Sequence, residues 1–141
     1  MTCFPDTTGY VRITVGPVGR DYNDLQEAID AAPLGSVLIL DAGAVFNGGF
    51  VLPDKGDGEA WIILISSRMD LLPAELSRLS PSASTGDQDL PDQSSAMPKI
   101  ITNNLSGIPC FKTQSYAHHY RLVGLEITAD HAVINSYGLV N

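Results

Sequence analysis

Charge is scarce in this chain. Only 17% of its 141 residues are Asp, Glu, Lys or Arg, and eight basic residues face sixteen acidic ones for a net charge of −8. The basic residues, Arg12, Arg20, Lys55, Arg68, Arg78, Lys99, Lys112 and Arg121, are scattered along the sequence. Nucleic acid is held by clustered cations that displace counterions, so this distribution excludes it as a partner. An acidic polysaccharide would also be repelled unless a divalent cation bridged the two. Cysteine is scarcer still, with Cys3 and Cys110 alone, too few for a Cys-only zinc site. Two reduced thiols, with Cys110 in a buried strand, is the plain reading, and a disulfide across that separation is the alternative. No apolar run approaches the roughly 18 residues that a membrane span needs, and no membrane partner is expected. The start, "MTCFPDTTGYVRITV", lacks a basic segment followed by an apolar one. No secretory signal is therefore expected: the chain stays in the cytoplasm or begins downstream of a leader, and localisation stays open.

What the chain has is apolar surface. Hydrophobic residues make up 44% of it, and this length suits a single domain that buries about two thirds of its unfolded surface. "RITV", Arg12 to Val15, predicts a first strand. In "DLQEAIDAAPLG" the residues Leu25, Ala28, Ile29 and Ala32 recur at i, i+3, i+4 and i+7, the stripe of a short amphipathic helix over about 22–32. Gln26, Glu27 and Asp30 face away from that stripe. Asp21 or Asn23 supplies the N-cap, Asn23 and Gln26 have capping-box spacing, and Pro33 and Gly35 end the helix.

Strand-length apolar runs follow at Val37–Leu40, Phe50–Leu52, Trp61–Ile65, Lys99–Thr102, Ile108–Thr113 and Tyr120–Thr128, separated by Gly, Asn, Asp and Pro. In the last run Val123, Leu125 and Ile127 share one face by strict alternation. "LLPAELSRL", Leu71 to Leu79, has length for one or two helical turns. Ser80–Ser95 is nearly devoid of apolar residues and predicts a flexible loop over about 68–97. No second helical pattern recurs between the strands, which is a poor fit to a doubly wound sheet. A lone oily helix ahead of strands instead predicts an all-β parallel β-helix. Its short N-terminal capping α-helix would lie across the first coil and shield its unpaired edge.

At "DLQEAIDAAPLGSVLILDAG" the chain resembles the N-terminal cap and first coil of right-handed parallel β-helix proteins of the pectin-lyase-like superfamily, of bacterial type. "MPKIITNN" and "AHHYRLVGLEIT" are similar to later coils of that group. Leu34, inserted between Pro33 and Gly35, departs from the pattern, and "SYGLVN" ends in what looks like mid-coil. The chain thus resembles an N-terminal portion or an unusually short relative, for which self-association through the open C-terminal coil is expected. The resemblance implies polysaccharide, including acidic glycan, as the substrate class. It implies a polysaccharide lyase or glycoside hydrolase if the chain is an enzyme, Ca²⁺ as the associated cofactor, and frequent secretion. The alternatives are a non-catalytic carbohydrate-binding or structural module, or an inactive fragment.

The resemblance brings with it aspartates holding Ca²⁺ and an arginine or lysine as base, a set that cannot be matched here. The nearest catalytic candidates are His119, Arg121 and Glu126, which do not all share a strand face. His118 and His119, as strand neighbours, are expected to point to opposite faces. The plain alternative makes these a turn or core histidine, a solvated strand end and an exterior acid. Candidate metal ligands are Asp54, Asp57 and Glu59 in "PDKGDGE", together with Asp130 beside His131. The order of an EF-hand is missing, and a solvated loop is the simpler account. Trp61 is a candidate sugar platform or a core residue. G-x-S-x-G is absent, as is the Gly-Lys-Ser/Thr ending of a phosphate loop.

Overall fold

The computed structural model describes residues 6–72, 93–102, 108–129 and 139–140. Ten strands and one α-helix make up the regular structure of these residues. The first strand, β1 (Val11–Val15), leads into α1 (Leu25–Ala31), followed by β2 (Ser36–Leu40), β3 (Val45–Asn47), β4 (Phe50–Leu52) and β5 (Ile62–Ser66). After two short 3₁₀ turns, Met69–Leu71 and Gln93–Ala96, come β6 (Lys99–Thr102), β7 (Phe111–Thr113), β8 (Tyr120–Val123), β9 (Glu126–Ala129) and β10 (Leu139–Val140).

These strands form three separate small sheets, of order β1-β2-β5-β8, β3-β6-β9 and β4-β7-β10. Every strand pair in them is parallel. From β2 onward the chain visits the first, second and third sheets in that order three times.

The expectation of an all-β, right-handed parallel β-helix is corrected here. The described residues give three separate parallel sheets and one α-helix, without a closed solenoid. The physical reason is that local apolar patterning locates strands and says nothing about how sheets join one another. Several strands are only two or three residues long.

The helix shows how sequence becomes packing. Asp24, in extended conformation, is the N-cap: its Oδ1 accepts the backbone N–H of Gln26 at 2.7 Å and of Glu27 at 3.1 Å. Neither Asp21 nor Asn23 takes that role, and the helix is shorter than the 22–32 expected. Its apolar stripe is sealed, with Leu25, Ala28, Ile29 and Ala32 all at 1% exposure or less. Burial of Leu25 and Ile29 stabilises the fold by about 1.5–3 kcal/mol each. The helix lies against β1 and β4, the outer strands of the first and third sheets.

Gln26 does not simply face solvent. Its Nε2 donates to the Val51 carbonyl at 2.9 Å and its Oε1 accepts the Val51 N–H at 2.8 Å. One side-chain amide thereby satisfies both backbone groups on the outer edge of β4, as a neighbouring strand would. On β1, Asp21 accepts the Thr14 N–H and hydroxyl, both at 2.9 Å, and Tyr22 bridges to Val15.

All three sheets contribute to one core. Leu38 and Leu64 from the first meet Phe46 and Ile100 from the second and Phe50, Leu52 and Phe111 from the third. The Phe50 and Phe111 rings stand 5.7 Å apart, tilted by 38°. Cys110 is buried and not in a disulfide, and burial pushes its thiol pKa up. Cys3, its proposed alternative partner, lies outside the described residues.

The long run Tyr120–Thr128 is not one strand. Gly124 adopts a left-handed φ of 69°, the chain bends, and Glu126 begins a strand of a different sheet. A Cβ at Gly124 would come within 2.5 Å of Leu72 Cδ1 and 2.9 Å of Met69 Sδ, so the position also needs the missing side chain. Most of the loop expected over about 68–97 lies outside the described residues, as does most of Leu71 to Leu79. The two ends of that loop are tied close together: Ser66 Oγ donates to the Ala96 carbonyl at 2.5 Å and accepts the Arg68 N–H at 3.0 Å.

Candidate functional site

The parallel register of the first sheet decides which side chains meet. Ile62 on β5 is paired with Tyr120 on β8, so the residues just before them, Trp61 and His119, are neighbours by construction. The Ile62 N–H donates to the His119 carbonyl at 2.8 Å, fixing that relation. On the other side the Trp61 carbonyl accepts the Gly35 N–H at 3.0 Å, and the Trp61 N–H donates to the Tyr10 hydroxyl at 3.1 Å. Trp61 thus precedes its strand rather than opening it, and its indole is half-buried.

Two side chains meet that indole, and a third packs on one of them. The His119 ring meets it edge-on at 5.0 Å between centroids, and the Arg121 guanidinium carbon lies 5.1 Å from the ring centroid. The exposed His118 ring packs against His119 at 4.6 Å, also edge-on. The strand-alternation argument for the two histidines fails because neither is in the strand. His119 has a left-handed φ of 61°, which turns its side chain toward that of His118. A cation over an aromatic face contributes about 0.5–1 kcal/mol at an exposed site and more when desolvated.

Of the catalytic candidates, the structure therefore brings His119 and Arg121 together and leaves Glu126 elsewhere. Glu126 opens β9 in the second sheet and pairs with Lys99 at 3.3 Å. Other carboxylates are similarly engaged: Asp41 with Arg20 at 2.8 Å, Asp70 with Arg68 at 3.0 Å. Hydrogen bonds from Thr14 hold the Asp21 carboxyl below the usual range.

The metal candidates do not assemble. Asp54, Asp57 and Glu59 are exposed, and Asp54 Oδ1 accepts the Gly56 N–H at 2.9 Å within its own turn. Asp130 and His131 lie outside the described residues. Among the described residues no group of three or more His, Cys, Asp or Glu side chains is placed to hold a metal ion. The loop does not fit Ca²⁺, which takes six to eight oxygen ligands.

The same loop is nevertheless anchored beside the aromatic cluster. The Tyr120 hydroxyl donates to the Pro53 carbonyl at 2.6 Å. Burial, reinforced by Asp30 and Asp54, pushes the Tyr120 phenol up to about 12. Lys55 Nζ donates to the Asp30 carbonyl at 2.6 Å, and burial lowers its ammonium pKa, partly offset by Asp30. Tyr120 is a residue that sequence reasoning placed only in a strand. Its one available signal was its position directly after the two histidines. No described helix is long and apolar enough to cross a membrane.

No family model, curated protein or solved structure matches this chain.

Proposed function

We propose that this protein binds polysaccharide, without cleaving it, at the surface built by Trp61, His119 and Arg121. The observation that carries the reading is the guanidinium and imidazole gathered on one half-buried indole. An indole offers an apolar plane with a polar tip, suited to the C–H face of a sugar ring. Arginine adds a rigid fork of donors for hydroxyl or carboxylate oxygens. The likeness of the Asp24–Gly43 segment to pectin-lyase-like proteins is what puts polysaccharide ahead of other ligands carrying hydroxyl groups.

Binding is favoured over catalysis by the placement of Glu126. Glycoside hydrolysis needs two carboxyl groups flanking one bond. Glu126 sits on another sheet, in an ion pair with Lys99.

A panel of neutral and uronate-containing oligosaccharides, followed by calorimetry on the best binder, tests the reading. The expected result is measurable binding that falls by about tenfold or more in Trp61→Ala, in line with the aromatic contribution at such sites. Absence of binding to every member would overturn the proposal. Formation of an ultraviolet-absorbing unsaturated product from polygalacturonate, with or without Ca²⁺, would overturn its non-catalytic half.

A further inference from the structure

Backbone strain is concentrated in one connection. Among the described residues, Tyr116 and His119 are the two non-glycine residues with a positive φ, 67° and 61°. Both lie between β7 and β8, in the segment that brings His119 to the Trp61 indole. A left-handed backbone costs free energy for a residue with a bulky side chain, and it persists only where other interactions offset it. For His119 the ring contacts with Trp61 and His118 do so. Tyr116 has no comparable packing, because it is 88% exposed. Its turn is nonetheless firmly built. The Ala117 N–H donates to the Gln114 carbonyl at 3.1 Å, which makes Tyr116 the third residue of a turn, where a positive φ suits Gly or Asn. The Gln114 N–H donates to the Leu52 carbonyl at 2.9 Å, and its Oε1 accepts the Asp54 N–H at 3.3 Å. A local rule broken in a well-anchored turn, with nothing in the fold to offset it, marks a side chain held for an external contact.

We propose that Tyr116 is a second aromatic anchor of the polysaccharide surface, stacking on a different sugar ring from the one at Trp61. This rests on the binding reading above and extends it from a single sugar ring to a chain of them. A phenol offers the same apolar plane and polar tip as an indole, and with two χ angles it loses little conformational freedom on binding. Tyr116 precedes His119 by three residues, at most about 11 Å of chain. The His119 ring in turn lies 5.0 Å from that of Trp61. Both aromatic rings therefore serve one surface, while the exposure of Tyr116 shows that its ring does not pack on the indole. A ligand of several sugar units engages both, and a single unit engages one.

The experiment compares the parent, Tyr116→Asn and Trp61→Ala. The probes are the tightest-binding hexasaccharide of the panel above and the methyl glycoside of the same sugar. Asparagine tolerates the left-handed backbone and removes the ring. Trp61 is the single tryptophan of the chain, so its emission reports occupation of the first position. Tyr116→Asn should weaken hexasaccharide binding about three- to tenfold, the range of one aromatic contact. It should leave the methyl glycoside's effect on Trp61 emission unchanged. Its melting temperature should equal or exceed the parent's, because a strained position has been relieved. Equal hexasaccharide affinity in the parent and Tyr116→Asn, with Trp61→Ala weakened, would overturn this inference and leave the binding reading standing. Equal weakening of the methyl glycoside would also overturn it, by placing Tyr116 at the Trp61 position. So would a lower melting temperature in Tyr116→Asn, since the ring would then serve the fold. Absence of binding by the parent would overturn both.

Discussion

Along two core rows, burial changes from one end to the other. Leu38, Leu64 and Leu122 are register partners across the first sheet, and Phe46, Ile100 and Ile127 are partners across the second. Leu38, Leu64 and Ile100 are completely sealed, yet Leu122 is only partly buried and Ile127 is 37% exposed. At the α1 end, β1 and β4 have their outer edges met by Asp21, Tyr22 and Gln26. Among the described residues no strand pairs with the outer edge of β8 or β9. The difference teaches that stability in this molecule is concentrated where the helix and its polar side chains finish the sheets. The candidate site, by contrast, sits at the β5–β8 junction, on the less finished side. Binding surfaces belong where packing is incomplete, because a fully sealed row offers a ligand nothing to touch.

Paired truncations break or sharpen this comparison most directly. Leu64→Ala should cost about 2–5 kcal/mol, as fully buried leucines do, and Leu122→Ala about 1–2 kcal/mol. Equal losses in urea denaturation would erase the distinction between the rows. Gln26→Ala removes the partner of two edge groups on Val51, and about 1–3 kcal/mol should go with it. Faster hydrogen exchange at the Val51 amide than in the parent would locate the loss at β4.

Next in size is an alkaline effect on the less finished side. The Tyr120 phenol titrates near 12 in the fold against 10.0 ordinarily. The stability it contributes is complete below pH 10 and is lost as pH rises through 12. Tyr120→Phe should therefore flatten the stability profile across that window. An unchanged alkaline slope would remove Tyr120 as its cause. The smallest effect is expected from Lys99→Gln, which breaks a half-exposed ion pair with Glu126 worth about 0–1 kcal/mol. A larger loss would mean that the β6–β9 edge is better ordered than its exposure implies.

Much of the secondary structure was legible in the sequence. The stripe Leu25, Ala28, Ile29 and Ala32 is buried as its periodicity required, and Phe50–Leu52 and Lys99–Thr102 are strands with the bounds their apolar runs predict. The strand Val45–Asn47 was not legible, because only Phe46 points inward and three residues are too few to show alternation. Gly124 hid a corner inside a clean alternating run, so Glu126 was assigned to the strand of Arg121 when it belongs to another sheet. The assembly of strands into three separate sheets, and hence the corrected fold class, is set by long-range register that no local pattern encodes. The site was half legible. His119 and Arg121 were candidates, but their meeting at Trp61 depends on Ile62 pairing with Tyr120, residues 58 positions apart (120 − 62). The helix N-cap fell at Asp24, one residue from an expected one, since its carboxylate reaches two amides at once.

The clamp between Gln26 and Val51 has a chemical lifetime. Hydrolysis of that one neutral amide to a carboxylic acid would replace a donor with an oxygen, setting it against the Val51 carbonyl. The border of the third sheet would then stand open to any passing extended peptide. Slow deamidation at a single position would thus open a sheet edge that the intact amide keeps closed. Gln26→Glu reproduces the aged form without the wait.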